Sequence, residues 1–152
     1  MKKEPNVLLT VLYIIWQWTW GFLQSFVGFV LRLMYIGHPH EWRRGACLTM
    51  YDKARSPIKD LGCISLGMFI FIGMPEGGGH HEEQIERGVA HEYGHTIQSL
   101  IYGPLYLFVV GIPSLVWSAR YYGNKRFYNE KNIYYTSRFP ESEAEAFGRK
   151  FF

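Results

Sequence analysis

The chain has 152 residues, 48% of them hydrophobic and 19% charged, which is enough for one domain with a modest core. Its formal charge of +3 is small and scattered, which excludes a nucleic-acid-binding surface. Cys47 and Cys63 lack C-x-x-C spacing, which disfavours a zinc finger. We expect both to be free buried thiols, with a single disulfide as the alternative.

The N-terminal part of the chain is strongly apolar. Residues 6–31 carry no charge, and these 26 positions are long enough for a helix that spans a bilayer. On a helix, the small and polar residues gather in one arc of about 100°, which we expect to pack on protein while the apolar remainder meets lipid. The residues of this arc are Thr10, Gln17, Gly21, Gln24, Ser25, Gly28 and Arg32.

Three tryptophans complicate a simple transmembrane span. Trp16, Trp18 and Trp20 lie in the middle of the segment, whereas interfacial tryptophans mark the ends of a span. A helix lying in the interface, or one broken near Gly21, is therefore the alternative. We expect residues 1–37 to form a long apolar, membrane-associated helix that is retained rather than cleaved, and residues 38–152 to form one small catalytic domain packed with it.

A polar stretch and then a strand follow. Residues 38–62 contain a short predicted strand at 46–51, and the β-branched and aromatic run at 64–72 predicts another. Residues 75–79 are proline- and glycine-rich and are predicted to be a loop. The fold class is therefore α+β, mostly helical, with short antiparallel strands.

The next helix carries the most specific motif of the chain. Two glutamates suit its first turn and Gly103-Pro104 suits its end, so we predict a helix over residues 82–102. His91 and His95, in H-E-x-x-H spacing, lie one turn apart on one face of that helix, where both can bind one tetrahedral zinc ion. Glu92 is then placed to accept a proton from a water bound to the metal.

The segment after this helix is uncharged from residue 96 to residue 119. Glycines and prolines interrupt it, so we predict a short apolar connection at 105–110 and a new helix with Pro113 in its first position. Residues 120–138 are rich in tyrosine and basic residues and are predicted to be a loop. Glycines at 88 and 94 weaken the preceding helix, so we expect another element to pack closely against both.

A last helix supplies the third metal ligand. Pro140 suits its first position, and Glu141 and Glu145 then share one face of it, while Glu143 points elsewhere. We expect Glu141 to bind the zinc and Glu145 to orient a ligating histidine; the alternative is a charged first turn favoured by the helix dipole. Four other histidines suit an exposed surface better than a metal site. They are His38, His40, His80 and His81.

The motif and its spacing resemble the gluzincin group of zinc metallopeptidases. In that group a helix with H-E-x-x-H is followed by a helix with a glutamate ligand and an acidic residue four positions later, as Glu141 and Glu145 are here. The chain also resembles a family of small uncharacterised bacterial membrane proteins. The shared motifs are S-L-G-x-F-I-F at 65–71, H-E-Y-G-H-T-x-Q-S at 91–99, G-P-L-Y-L-x-V-x-G-I-P-S at 103–114 and E-x-x-A-x-x-x-G at 141–148. The last helix of that family often reads E-x-W-A-N, and here Glu145 replaces the asparagine.

These resemblances imply a zinc-dependent peptidase in a bacterial inner membrane, acting on a peptide or protein substrate. Tyr134, Tyr135 and Arg138 lie near Glu141 in sequence and are candidate donors to the oxyanion. A site-2-type intramembrane protease is an alternative, although the charged first half of the helix argues against it. A second alternative is a membrane-bound zinc-binding or scaffold protein without catalysis, which would have no open coordination position.

Overall fold

A computed structural model describes residues 6–58, 61–74 and 82–152, and it is α+β and mostly helical, as predicted. The helices are α1 (Val7–Thr19), α2 (Phe22–Met34), α3 (Glu82–Tyr102), α4 (Ile112–Gly123), α5 (Lys125–Glu130) and α6 (Glu141–Phe151). The strands are β1 (His40–Arg43), β2 (Ala46–Asp52), β3 (Ile64–Leu66) and β4 (Phe69–Met74). The bounds of α3 and the strand at β2 match their predictions.

The sheet is mixed, which corrects the expectation of antiparallel strands only. The strand order is β1-β2-β4-β3; β2 and β4 are parallel, and the two outer pairs are antiparallel. The cause is a hairpin inside residues 64–72, which were predicted to be one strand. Gly67 has a φ of +59° and turns the chain between Leu66 and Phe69, so that β3 runs back along β4 and forms one edge of the sheet.

The apolar N-terminal segment is two helices, so the prediction of one long helix is wrong. α1 and α2 meet at 96° across Trp20 and Gly21, which agrees with the alternative of a break near Gly21. In the described part of the chain, no single helix has the length and apolar character needed to cross a membrane; the bent pair passes that test jointly. The expectation for the small and polar arc is confirmed, because five of its members are buried. They are Gln17, Gly21, Gln24, Ser25 and Gly28.

Helices cover both faces of the sheet. Alternate residues of β4 point to opposite faces: Phe69 and Phe71 pack with Tyr13 and Leu31 of the N-terminal helices, whereas Ile70 and Ile72 belong to the cluster of Val89 and Tyr93 on α3. The sheet therefore lies between two core clusters, one against the apolar helix pair and the other against α3.

Several connections differ from their predictions. The chain at 105–110, predicted to be a short connection, is largely helical. A 3₁₀ turn (Gly103–Leu105) and a π-helical stretch (Leu107–Gly111) lead into α4. The predicted loop at 120–138 is wrong in large part, since it contains the end of α4, all of α5 and a 3₁₀ turn (Tyr135–Ser137). Helix α6 starts one residue after Pro140. Helix α4 starts at Ile112, so Pro113 is its second residue rather than its first. The predicted loop at 75–79 and His80 and His81 lie outside the described residues.

The two cysteines are free, as predicted, but only Cys47 is buried. Cys63 is exposed, because it lies just before the edge strand β3, where no further strand of the described chain covers it. The expectation of two buried thiols is therefore wrong for Cys63.

Helices α3 and α6 are in close backbone contact through glycines. A Cβ added to Gly94 would lie 1.8 Å from the carbonyl oxygen of Ala144, and one added to Gly148 would lie 2.3 Å from that of Ala90. Both distances are far below any real contact, so only glycine permits this approach. The expectation of close packing is thus confirmed for Gly94, whereas a Cβ on Gly88 would meet nothing within 4 Å.

We therefore expect Gly94→Ala and Gly88→Ala to change stability in opposite directions. The first forces α3 and α6 apart and should lower the free energy of unfolding by about 3 kcal/mol. The second removes a flexible glycine from an open helical position and should raise the free energy of unfolding by about 0.5–1 kcal/mol. Urea unfolding of both variants measures this, and equal losses would contradict the proposed contact.

Candidate metal centre

Three predicted ligands meet at the contact between α3 and α6. His91 and His95 lie one turn apart on α3, and Glu141 is the first residue of α6. Glu141 Oε2 lies 2.9 Å from His91 Nε2 and 3.2 Å from His95 Nε2. One potential ligand atom from each residue lies within 4.8 Å of the others, and this group can hold a metal ion.

The spacing of these atoms fits a small divalent cation. Two ligands about 2.0 Å from a tetrahedral ion lie roughly 3.3 Å apart, close to both nitrogen-to-oxygen distances here. Three protein ligands of imidazole and carboxylate type leave one tetrahedral position open. The donor set is therefore the kind found in catalytic rather than closed structural sites.

The electrostatics of the centre favour a carboxylate facing two imidazoles. Burial alone would raise the pKa of Glu141, but hydrogen bonds with His91 and His95 outweigh it and hold that pKa well below its usual range. Burial opposes the charged form of His91, whereas its hydrogen bond with Glu141 and the charge of Glu92 raise its pKa. Ser114 Oγ donates to the other carboxylate oxygen of Glu141, Oε1, at 2.5 Å, which leaves Oε2 directed at the histidines.

Glu92 lies beside the ligands in a nearly closed environment. It is 6% exposed, and it lines the same cleft as His91 and His95. Burial raises the pKa of Glu92, and the neighbouring His95 and His91 partly offset that effect. A buried carboxylate with a raised pKa is suited to accepting and returning a proton near neutral pH.

Only one of the three candidate oxyanion donors lies in the site. Tyr135 lines the cleft, with its ring centroid 6.3 Å from that of His91, and burial raises its pKa so that the hydroxyl keeps its proton. Tyr134 is 66% exposed. The guanidinium of Arg138 lies 4.9 Å from the ring centroid of Trp117 and does not line the cleft.

His91 and His95 open into a large cleft of about 930 Å³. One wall is the edge strand β3, and the other is formed by the π-helical stretch and α4. Apart from the polar residues at the metal centre, apolar side chains dominate the two walls. They include Leu61, Ile64, Leu66, Leu107, Ile112 and Leu115.

Comparison of the chain with protein-family models, curated proteins and solved structures gives no match. The interpretation of the site therefore depends on its own geometry.

Three residues that are not ligands contact the ligand side chains and orient them. Glu145, predicted for this role, has Oε2 3.2 Å from His91 Nδ1. Sequence reasoning missed the other two: Ser114, which contacts Glu141, and Gln98, whose Oε1 lies 2.7 Å from His95 Nδ1. Both lie inside the longer motifs at 91–99 and 103–114, and those motifs were the only feature of the sequence that could have indicated their roles.

Removal of one ligand should abolish tight metal binding. We expect Glu141→Gln and His95→Ala to weaken the affinity for a divalent metal ion by more than the 10–100-fold that loss of an outer partner causes. His40→Ala is the matched control, because His40 is exposed on β1 and contacts Arg32. Competition with a chromogenic chelator measures the affinity, and a loss in the His40 variant alone would contradict the site.

Proposed function

We propose that this protein is a membrane-associated zinc metallopeptidase. The observation that carries the proposal is the convergence of His91, His95 and Glu141, with the two histidines and the buried carboxylate of Glu92 lining an open cleft. Two imidazoles and one carboxylate suit zinc among the abundant divalent metals, because magnesium and calcium prefer all-oxygen sites.

Each residue has a distinct part in hydrolysis. Zinc, when bound, supplies a Lewis acid that polarises the substrate carbonyl and lowers the pKa of a water ligand. Glu92 accepts the proton of the attacking water and returns it to the leaving amine. Tyr135 remains protonated and donates a hydrogen bond to the developing oxyanion.

The cleft suits an extended peptide with apolar side chains. Strand β3 pairs only with β4 among the described strands, so its outer backbone groups can pair with a peptide. The same strand lines the cleft beside Glu92, which aligns the peptide with the metal centre. The opposite wall provides apolar contacts for the substrate side chains.

Association with a bilayer is supported by the outer faces of α1 and α2. Gln17 and Gln24 face α3, whereas many apolar side chains on the other faces of the two helices are exposed. These side chains include Leu8, Leu12, Ile15, Phe22, Leu23, Phe26, Val27 and Val30, which are 40–65% exposed. The uncharged surface is typical of an element that lies in lipid, and a bacterial inner membrane is the proposed location.

Glu92→Gln should separate metal binding from catalysis. The variant keeps all three ligands, so it should bind zinc with nearly unchanged affinity, while hydrolysis of a quenched-fluorescent peptide library falls at least 100-fold. Glu83→Gln, at an exposed position in the first turn of the same helix, is the control and should retain activity.

Two results would favour an alternative function. Zinc binding without any Glu92-dependent hydrolysis in the wild-type protein would favour the non-catalytic zinc-binding alternative. Cleavage of membrane-spanning substrates only, with none of peptides in solution, would favour the intramembrane alternative.

The membrane contact is tested by charges placed on the outer helical face. We expect the double variant Leu12→Glu and Leu23→Glu to bind lipid vesicles at least 10-fold more weakly, because two exposed apolar side chains are lost from the contact. Trp42→Glu with Phe127→Glu is the matched control at exposed apolar positions outside α1 and α2. Vesicle co-sedimentation measures both, and equal binding by the two double variants would refute the assignment of this face.

A further inference from the structure

A buried glutamine connects the two helices that carry the metal ligands. Gln98 lies one turn after His95 on α3 and is 0% exposed. Its Oε1 lies 2.7 Å from His95 Nδ1, and its Nε2 donates to the carbonyl oxygen of Pro140 at 3.0 Å and to Glu143 Oε2 at 2.8 Å. The side chain thus joins a ligating histidine of α3 to the first turn of α6.

The partners of this amide determine its orientation. A backbone carbonyl and a carboxylate can only accept hydrogen bonds, so the NH₂ group of Gln98 must face Pro140 and Glu143. The amide oxygen must then face His95, and because that oxygen only accepts, Nδ1 of His95 carries a proton. Nε2, which faces Glu141, is then the nitrogen left to bind a metal ion.

Glu143 has a role in this arrangement although it is not a ligand. Its carboxylate also accepts a hydrogen bond from the Tyr102 hydroxyl at 3.1 Å, so two donors hold it against the amide of Gln98. The chain of contacts runs from Tyr102 through Glu143 and Gln98 to His95. The link between Gln98 and His95 is closed to solvent, because both residues are buried.

We propose that Gln98 is a positioning residue of the metal centre, which selects the metal-binding tautomer of His95 and holds α6 so that Glu141 meets it. The inference rests on the metal site of the proposed function and is independent of whether the protein hydrolyses peptides. It assigns different partners to the two histidines: His91 has the half-buried carboxylate of Glu145, whereas His95 has a neutral, fully buried amide.

The test compares two buried glutamines. Gln98→Leu removes the contact with His95, and we expect it to weaken zinc affinity 10–100-fold. Gln24→Leu is the matched control, because Gln24 is also 0% exposed and also donates to α3 and the chain just after it, at Ser99 and Gly103, without touching a ligand. Both variants lose a buried amide, so both should have a lower melting temperature, but the Gln24 variant should keep its zinc affinity within 3-fold.

A compensating pair distinguishes positioning from simple loss of packing. Q98E alone places two carboxylates together and should weaken zinc binding as Gln98→Leu does. Adding E143Q restores a donor opposite the new carboxylate and should recover zinc affinity to within about 5-fold of wild type. In the cobalt(II)-loaded protein, Gln98→Leu should remove one of the two exchangeable, hyperfine-shifted imidazole N–H signals, and the Gln24 variant should keep both.

Each outcome bears on a separate claim. Equal zinc affinity in the Gln98→Leu and Gln24→Leu variants would overturn the role of Gln98 and leave the metal site standing. A wild-type protein that binds no zinc would overturn the metal site, the proposed function and this inference together. Intact zinc binding that depends on Gln98, without any peptide hydrolysis, would support this inference and reject only the peptidase.

Discussion

The close approach of α3 and α6 is the constraint on which the rest of the structure depends. Gly94 and Gly148 bring the two backbones into direct contact, so the start of α6 lies beside the histidines of α3. The side chain of glutamate is short. Glu141 therefore reaches two imidazoles only because the helices are this close. The packing of two glycines thus decides whether Glu141 joins two histidines about 50 residues earlier in one centre.

The interior accepts the charge of Glu141 because that carboxylate has specific partners. Glu141 is fully buried, yet its two oxygens contact His91, His95 and Ser114. An unpaired buried carboxylate would take up a proton instead, and it would then lose its value as a ligand. The same rule explains the neutral amide of Gln98 at His95, where another carboxylate would add repulsion to an already negative site.

The parts of the fold that follow local rules were predictable, and the parts set by long-range contacts were not. The bounds of α3 follow from its acidic first turn and its Gly103-Pro104 end, and the spacing within it indicates the metal-binding face. The break between α1 and α2, which the sequence suggested only as an alternative, is different. An uncharged run predicts a continuous helix, but Gln17 and Gln24 each need a partner on or just after α3, and the chain bends at Gly21 to provide both. Gln98 and Ser114 escaped detection for the same reason, since their roles arise only from contacts across the fold.

The hydrogen bonds of the N-terminal helices have a practical consequence for protein production. Gln17 Nε2 donates to the carbonyl oxygen of Thr96, and Gln24 Nε2 to that of Gly103, so the apolar pair satisfies backbone acceptors in and just after the final turns of α3. A truncated form that begins after Met34 would leave these acceptors bare and uncover the Phe69 and Phe71 face of the sheet. A form that keeps α1 and α2 is therefore a better route to a well-behaved sample than one that lacks them.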